Sequence, residues 1–227
     1  MLKDILFLDI ETVPLTYKYT ELDENSKQLW DAKWKYAKDE SPEALYGKSG
    51  IYAEFAKIIC IGLGYFHQGK FRVTCLANDN EKELLYEFRQ LVEKHFNKPY
   101  HKLCAHNGKE FDFPFLCRRF IINELGLPDI LKIQGLKPWE VRHLDTMEMW
   151  KFGDYKNFTS LNLLAHVFNI PSPKDDIDGS QVSKVYYENK DLEKIKNYCL
   201  KDVITLARVY SKFTNSGNID EENIVRN

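Results

Sequence analysis

Two rhythms of apolar residues run along this chain. Residues 5–11, 57–66, 71–77, 102–107 and 141–145 carry short apolar runs or two-residue alternation and predict strands, the second and third joined as a hairpin around residues 67–70. Residues 81–96 and about 111–125 repeat at helical spacing, Gly126 and Pro128 ending the second run. Ser160 is placed to cap a helix through Phe168, and a last long helix is predicted from Asp191 to about Phe213. The order opens β-β-β-α. Such interleaving predicts an α/β fold with a mixed central sheet of about five strands, the first strand central, and helices on both faces.

Residues 17–50 interrupt this pattern with a charged, Trp-containing insertion, predicted helical over residues 23–38. Trp30 and Trp34, four apart, form one aromatic face. It is read as packing onto the parent domain, ahead of stacking bases or docking a partner. Beyond Thr214 the composition turns polar. The expected organisation is therefore one domain over residues 1–213 and a disordered tail over 214–227.

Composition adds exclusions. At 227 residues and 44% hydrophobic content the chain can bury one sizeable core. Its longest apolar runs, such as residues 5–8 and 58–63, fall far short of a bilayer span, so no membrane association is expected. No cleavable leader precedes the first strand, and a cytoplasmic location is expected. The net charge of −2 argues against a broad basic surface for duplex nucleic acid, while short contacts to a strand end stay compatible. Cys60, Cys75, Cys104, Cys117 and Cys199 are odd in number and never closely spaced, and they read as buried, reduced thiols.

The candidate chemistry lies in carboxylates. In Asp9-Ile10-Glu11 strand alternation puts both acids on one face, at the end of a strand apolar on both sides. Desolvation and mutual repulsion there would be relieved by a bound cation, although an acidic turn before Pro14 accounts for the triplet as well. Asp112 follows the Asn107-Gly108 turn at a strand-to-helix corner, where an ordinary capping or first-turn acid is the commoner explanation. On the last helix Tyr198 and Asp202 stand four residues apart beside the apolar stripe Leu192, Ile195, Cys199, Val203, Leu206, Tyr210 and Phe213, and a solvated boundary pair would look the same. Other constellations are weaker. Aligning Gly179 with the turn glycine of a calcium loop puts Lys174 and Val185 at ligand positions, which rejects an EF-hand. His106 reads as structural and Asp145 as a helix cap.

Taken together, Asp9-x-Glu11, Asn107-x-x-x-Phe111-Asp112 and Tyr198-x-x-x-Asp202 resemble, in order and spacing, the three motifs of DEDDy-type 3′–5′ exonucleases of the RNase H-like superfamily. The chain is similar to the proofreading exonuclease domain of family B DNA polymerases, in a stand-alone form. The histidine branch of that superfamily carries His five residues before the last Asp, where Asn197 stands here. The resemblance implies a metal-dependent 3′–5′ exonuclease acting on single-stranded DNA. Asp9, Glu11, Asp112 and Asp202 would bind two divalent ions, Mg²⁺ or Mn²⁺, and Tyr198 would orient the attacking water. Thr12, Asn107 and Phe111 would contact the 3′-terminal nucleotide, although Asn107 and Phe111 read equally well as a turn residue and a core aromatic, and the loop over residues 174–179 would lie near the strand. DNA is placed ahead of RNA; RNA 3′-end trimming and a non-catalytic scaffold of the same fold are the alternatives. A partner protein in replication or repair is left open.

Overall fold

Alternation along the first strand sets the architecture. A computed structural model of the chain describes residues 2–137, 139–154, 156, 158–171 and 177–227. The strands β1 (Ile5–Pro14), β2 (Ala56–His67), β3 (Lys70–Ala77), β4 (Lys102–Ala105), β5 (Leu144–Asp145) and β6 (Ile224–Arg226) form one mixed sheet in the order β5-β4-β1-β2-β3-β6. Eight α-helices among the described residues accompany it: α1 (Glu24–Lys33), α2 (Pro42–Leu45), α3 (Glu81–His95), α4 (Asp112–Ile122), α5 (Thr146–Lys151), α6 (Leu161–Val167), α7 (Val182–Lys184) and α8 (Leu192–Thr214). Leu6, Leu8 and Ile10 of β1 pack with Leu84, Phe88, Phe113 and Phe120 of α3 and α4. Ile5 and Phe7 point the other way, onto Val203, Leu206 and Tyr210 of α8. An interior strand must bury both faces, which is why β1 lacks the polar half of an edge strand. No helix among the described residues is long and apolar enough to cross a membrane.

Turn chemistry closes the hairpin as the sequence predicts: Gln68 and Gly69 both take positive φ, 50° and 74°, between paired His67 and Lys70. The fifth strand is shorter than predicted. The His143 imidazole accepts from the Leu103 N–H at 3.1 Å and its other nitrogen meets the Ile130 carbonyl oxygen at 2.9 Å, so side-chain bonds replace a backbone ladder there. Burial draws His143 down to about 4, which keeps the ring neutral and able to accept.

The tail corrects the expectation of disorder and raises the strand count among the described residues from about five to six. β6 pairs in parallel with β3, Phe71 opposite Ile224 and Val73 opposite Arg226. Ile219 and Ile224 are buried in the α8 core, and Lys70 Nζ donates to Asn223 Oδ1 at 2.9 Å. Two buried isoleucines suffice to anchor a segment whose average composition is polar. Within the loop over residues 174–179, residues 174–176 lie outside the described residues.

The insertion folds as a satellite. Asp23 caps α1 by accepting from the Ser26 N–H at 3.0 Å, and α1 ends at Lys33 rather than near residue 38. Trp30 is fully buried among Trp34, Tyr46, Tyr52 and Phe55, with its indole N–H on the Pro42 carbonyl oxygen at 2.7 Å. The two tryptophans thus face a small aromatic core of their own. That core is tied to β1, where Thr12 Oγ1 donates to the Gly50 carbonyl oxygen at 2.7 Å.

Close approach of α8 to the sheet depends on glycine. A Cβ at Gly62 would lie 2.7 Å from Cys199 Sγ, 2.8 Å from Val203 Cγ2 and 3.2 Å from the Cys199 carbonyl oxygen. Because the last is helix backbone, Gly62→Ala is expected to cost about 1–3 kcal/mol in urea denaturation by levering α8 off β2. An unchanged midpoint would show that the helix has room to spare.

Candidate active site

Asp9 and Glu11 project from β1 towards α8, continuing the face of Ile5 and Phe7. The strand outruns its neighbour here: β1 pairs with β4 only over residues 5–7 but with β2 as far as Pro14. On β2 the register passes from Glu11 opposite Cys60 to Thr12 opposite Ile58, so Ile59 is the extra residue of a bulge beside the acids. Glu11 is buried and Asp9 partly so. Burial pushes Asp9 well above the usual carboxylate range, and Glu11, Asp202 and Asp112 push it further. Glu11 is raised likewise, by burial and then by Asp202 and Asp112. Asp9 and Glu11 thus both register Asp112 and Asp202, which is the electrostatic signature of one shared pocket.

Asp112 enters from the far side of β1 as the first residue of α4. The turn before it carries Asn107 at φ 62°, a left-handed conformation that asparagine tolerates better than most residues. Buried Asp145 fixes this turn: its Oδ1 accepts from the Asn107 N–H at 2.9 Å and its Oδ2 from the Lys109 N–H at 3.0 Å. The same carboxylate caps α5 by accepting from the Met147 N–H at 2.9 Å. Capping was legible in the sequence; the second grip, 36 residues back along the chain, was not. Asp112 is 3% exposed, and burial raises it to about 7 despite a hydrogen bond from the Ile10 backbone, with Asp145 adding repulsion.

From α8, Tyr198 and Asp202 reach the same pocket. Their side chains hydrogen-bond, and burial followed by the charges of Asp202, Glu11 and Asp9 holds the Tyr198 hydroxyl far above its ordinary value of 10. At neutral pH it is therefore protonated and able to donate a hydrogen bond. Cys199, between them in sequence, sets its sulfur 3.5 Å from both the Asp9 carbonyl oxygen and Asp9 Oδ2. The apolar stripe pointed to Cys199 as core, and only the packing puts it against Asp9. Gly62, which admits that packing, had one faint sequence signal, a Gly-x-Gly inside a strand.

The structure thus brings Asp9, Glu11, Asp112, Tyr198 and Asp202 together. Thr12 adjoins at the bulge, its hydroxyl committed to Gly50. Asn107 forms the turn, and Phe111, half-buried, packs its ring 5.3 Å from that of Phe115. His106 is structural, bridging Thr146 Oγ1 at 2.9 Å and the Thr159 carbonyl oxygen at 2.8 Å. Beside Tyr198 an open groove is lined by Ile177, Asp191, Glu193, Lys194, Asn197 and Lys201.

A family model described as a predicted 3′–5′ exonuclease related to the exonuclease domain of PolB matches residues 51–227. That stretch holds Asp112, Tyr198 and Asp202, while Asp9 and Glu11 precede it. Among solved structures, the chain is similar to the family B DNA polymerase from the hyperthermophilic archaeon Pyrobaculum calidifontis, at 13% identity and a TM-score of 0.59. The match covers 92% of this chain and 24% of the polymerase, so the likeness is one of fold with about a quarter of a longer protein.

Proposed function

The chain belongs to the family of predicted 3′–5′ exonucleases related to the exonuclease domain of PolB, and from that membership we propose that it removes nucleotides from the 3′ end of single-stranded DNA with divalent ions held by Asp9, Glu11, Asp112 and Asp202. The observation that carries this reading is the convergence of those acids from β1, α4 and α8 on one pocket, with Asp9 raised by the other three. The donor set fits hard oxygen-seeking cations such as Mg²⁺ or Mn²⁺. When bound, two such ions would activate a water and stabilise the leaving 3′ oxygen.

The chain's own residues supply the rest. Asp9, flanked by Glu11, Asp112 and Asp202, would hold divalent ions together with those acids. Tyr198, held protonated, donates a hydrogen bond that orients the attacking water rather than taking its proton. Hydrolysis adds that water's oxygen to phosphorus and breaks the bond to the 3′ oxygen, leaving a strand one nucleotide shorter with a free 3′ hydroxyl. Thr12, Asn107 and Phe111 are assigned to the terminal nucleotide.

The test is an oligonucleotide labelled at its 5′ end, supplied as DNA and as matched RNA with Mg²⁺ or Mn²⁺. A ladder of shortened DNA that vanishes in EDTA supports the proposal. Preferential shortening of RNA moves the substrate class, and intact strands with retained binding mark a scaffold.

Proton linkage gives an independent check. Asp112 is raised to about 7 when folded, against about 3.9 unfolded. Between those values the folded state holds a proton that the unfolded chain has released, so stability contributed by this group falls as pH rises through the window. Asp9 and Glu11 act in the same direction. A divalent ion replaces those protons, and the rise in Tm on adding Mg²⁺ is expected to be small at pH 5 and large at pH 8. An equal rise at both pH values would remove the acids from the binding site.

A further inference from the structure

Next to the carboxylates, on the same face of the sheet, lies a second cluster of a different chemical kind. Cys60 on β2, Cys75 on β3 and Cys199 on α8 hold their sulfurs within 4.8 Å of one another. The sequence separates these residues too widely to suggest a metal motif, and only the docking of α8 across β2 and β3 assembles them. All three are free thiols, Cys60 and Cys199 buried and Cys75 partly open to solvent. We propose that Cys60, Cys75 and Cys199 form a binding site for a thiophilic ion of the Zn²⁺ class, which staples α8 to the central sheet beside the carboxylate pocket.

The geometry suits such an ion. Zinc–sulfur bonds of about 2.3 Å put the sulfurs of a tetrahedral site roughly 3.8 Å apart, so three sulfurs already within 4.8 Å close on an ion by small side-chain adjustments. Two ligands come from adjacent strands and the third from the helix that carries Tyr198 and Asp202. Cys75 provides the entry path, and Lys196, in the helical turn before Cys199 and ion-paired with Glu193 at 2.7 Å, stands near Cys60 and Cys75. Water would fill the fourth position, because the nearest carboxylate, Asp9 Oδ2 at 3.5 Å from Cys199 Sγ, belongs to the divalent-ion pocket. Ligand softness separates the two neighbouring sites: thiolates select Zn²⁺, whereas carboxylates suit Mg²⁺ and Mn²⁺. An ion bound to α8, β2 and β3 together would hold the helix at the distance that Gly62 permits.

The experiment uses the full-length reduced protein with excess Mg²⁺ and with Co²⁺ as a spectroscopic stand-in for Zn²⁺. One equivalent of Co²⁺ is expected to produce a thiolate-to-metal charge-transfer band that Zn²⁺ bleaches and Mg²⁺ does not. Zn²⁺ at about a hundred times its Kd is expected to raise Tm by roughly 5–10 °C. Cys75→Ser, at a partly exposed position, should keep the wild-type circular dichroism and metal-free Tm while weakening Co²⁺ binding at least tenfold. Cobalt binding without a thiolate band, or an unchanged band in both Cys75→Ser and Cys60→Ser, would overturn the proposal. A disulfide that forms instead of the complex under reducing conditions would overturn it too. The readout needs neither nucleic acid nor turnover, so it stands or falls separately from the exonuclease reading, and Asp9→Asn protein should retain the band.

Discussion

Asp9→Asn is expected to slow metal-dependent shortening of an oligonucleotide by about 10³-fold or more and, in EDTA, to raise the melting temperature. The two effects share one cause. Asp9 sits in a pocket where burial, Glu11, Asp202 and Asp112 all oppose its charge. Without a cation the cluster is a source of strain, and a neutral side chain of the same shape relieves it. With a cation the same charge becomes the ligand, and losing several kcal/mol of transition-state stabilisation corresponds to three or more powers of ten in rate. Rates on labelled DNA and melting curves in EDTA would be measured on the same preparation. Near-normal turnover, or a lower melting temperature in EDTA, would remove Asp9 from the proposed role.

Arg119→Leu is expected to be the most destabilising single change outside the apolar core, at about 3–5 kcal/mol, equivalent to a Tm lower by roughly 6–20 °C. Arg119 and Glu81 are 5% and 6% exposed, so the pair is screened from water. Arg119 holds Glu81 through Nε at 2.9 Å and a terminal nitrogen at 2.5 Å, and its other terminal nitrogen donates to the Ala53 carbonyl oxygen at 2.7 Å. Glu81 also accepts from the Ile58 N–H at 2.7 Å and from Asn123 Nδ2 at 2.8 Å. One ion pair therefore joins α3, α4 and β2, and deleting the cation leaves a buried carboxylate without its counter-charge. Replacing both partners, as in Glu81→Gln with Arg119→Met, should recover much of the loss, because no unpaired charge remains. Urea denaturation of the two single variants and the double variant measures the coupling, and a single-variant cost below about 1 kcal/mol would contradict this account.

Much of the fold was readable because it is local. The two-residue period that puts Leu6 and Leu8 on one side of β1 and Phe7 on the other also puts Asp9 and Glu11 together, and helical spacing stacks Tyr198 over Asp202. Asp23, Ser160 and Asp191 cap their helices where the sequence placed helix starts. Site and scaffold were legible by the same rule, since each motif occupies a few consecutive turns or residues.

Tertiary packing decided what depends on partners distant along the chain. Ile224 joined the sheet because Phe71 offered an apolar neighbour, against the polar average of its segment. Asp145 acquired its grip on the turn before Asp112, Glu81 found Arg119, and three scattered cysteines met behind Asp9 only once α8 lay across the strands. Sequence alone determined which elements form and which face of each is apolar or acidic, because backbone geometry repeats over a few residues. Which faces meet, and at what distance, was settled by close packing and by the satisfaction of buried polar groups, and neither has a period along the chain.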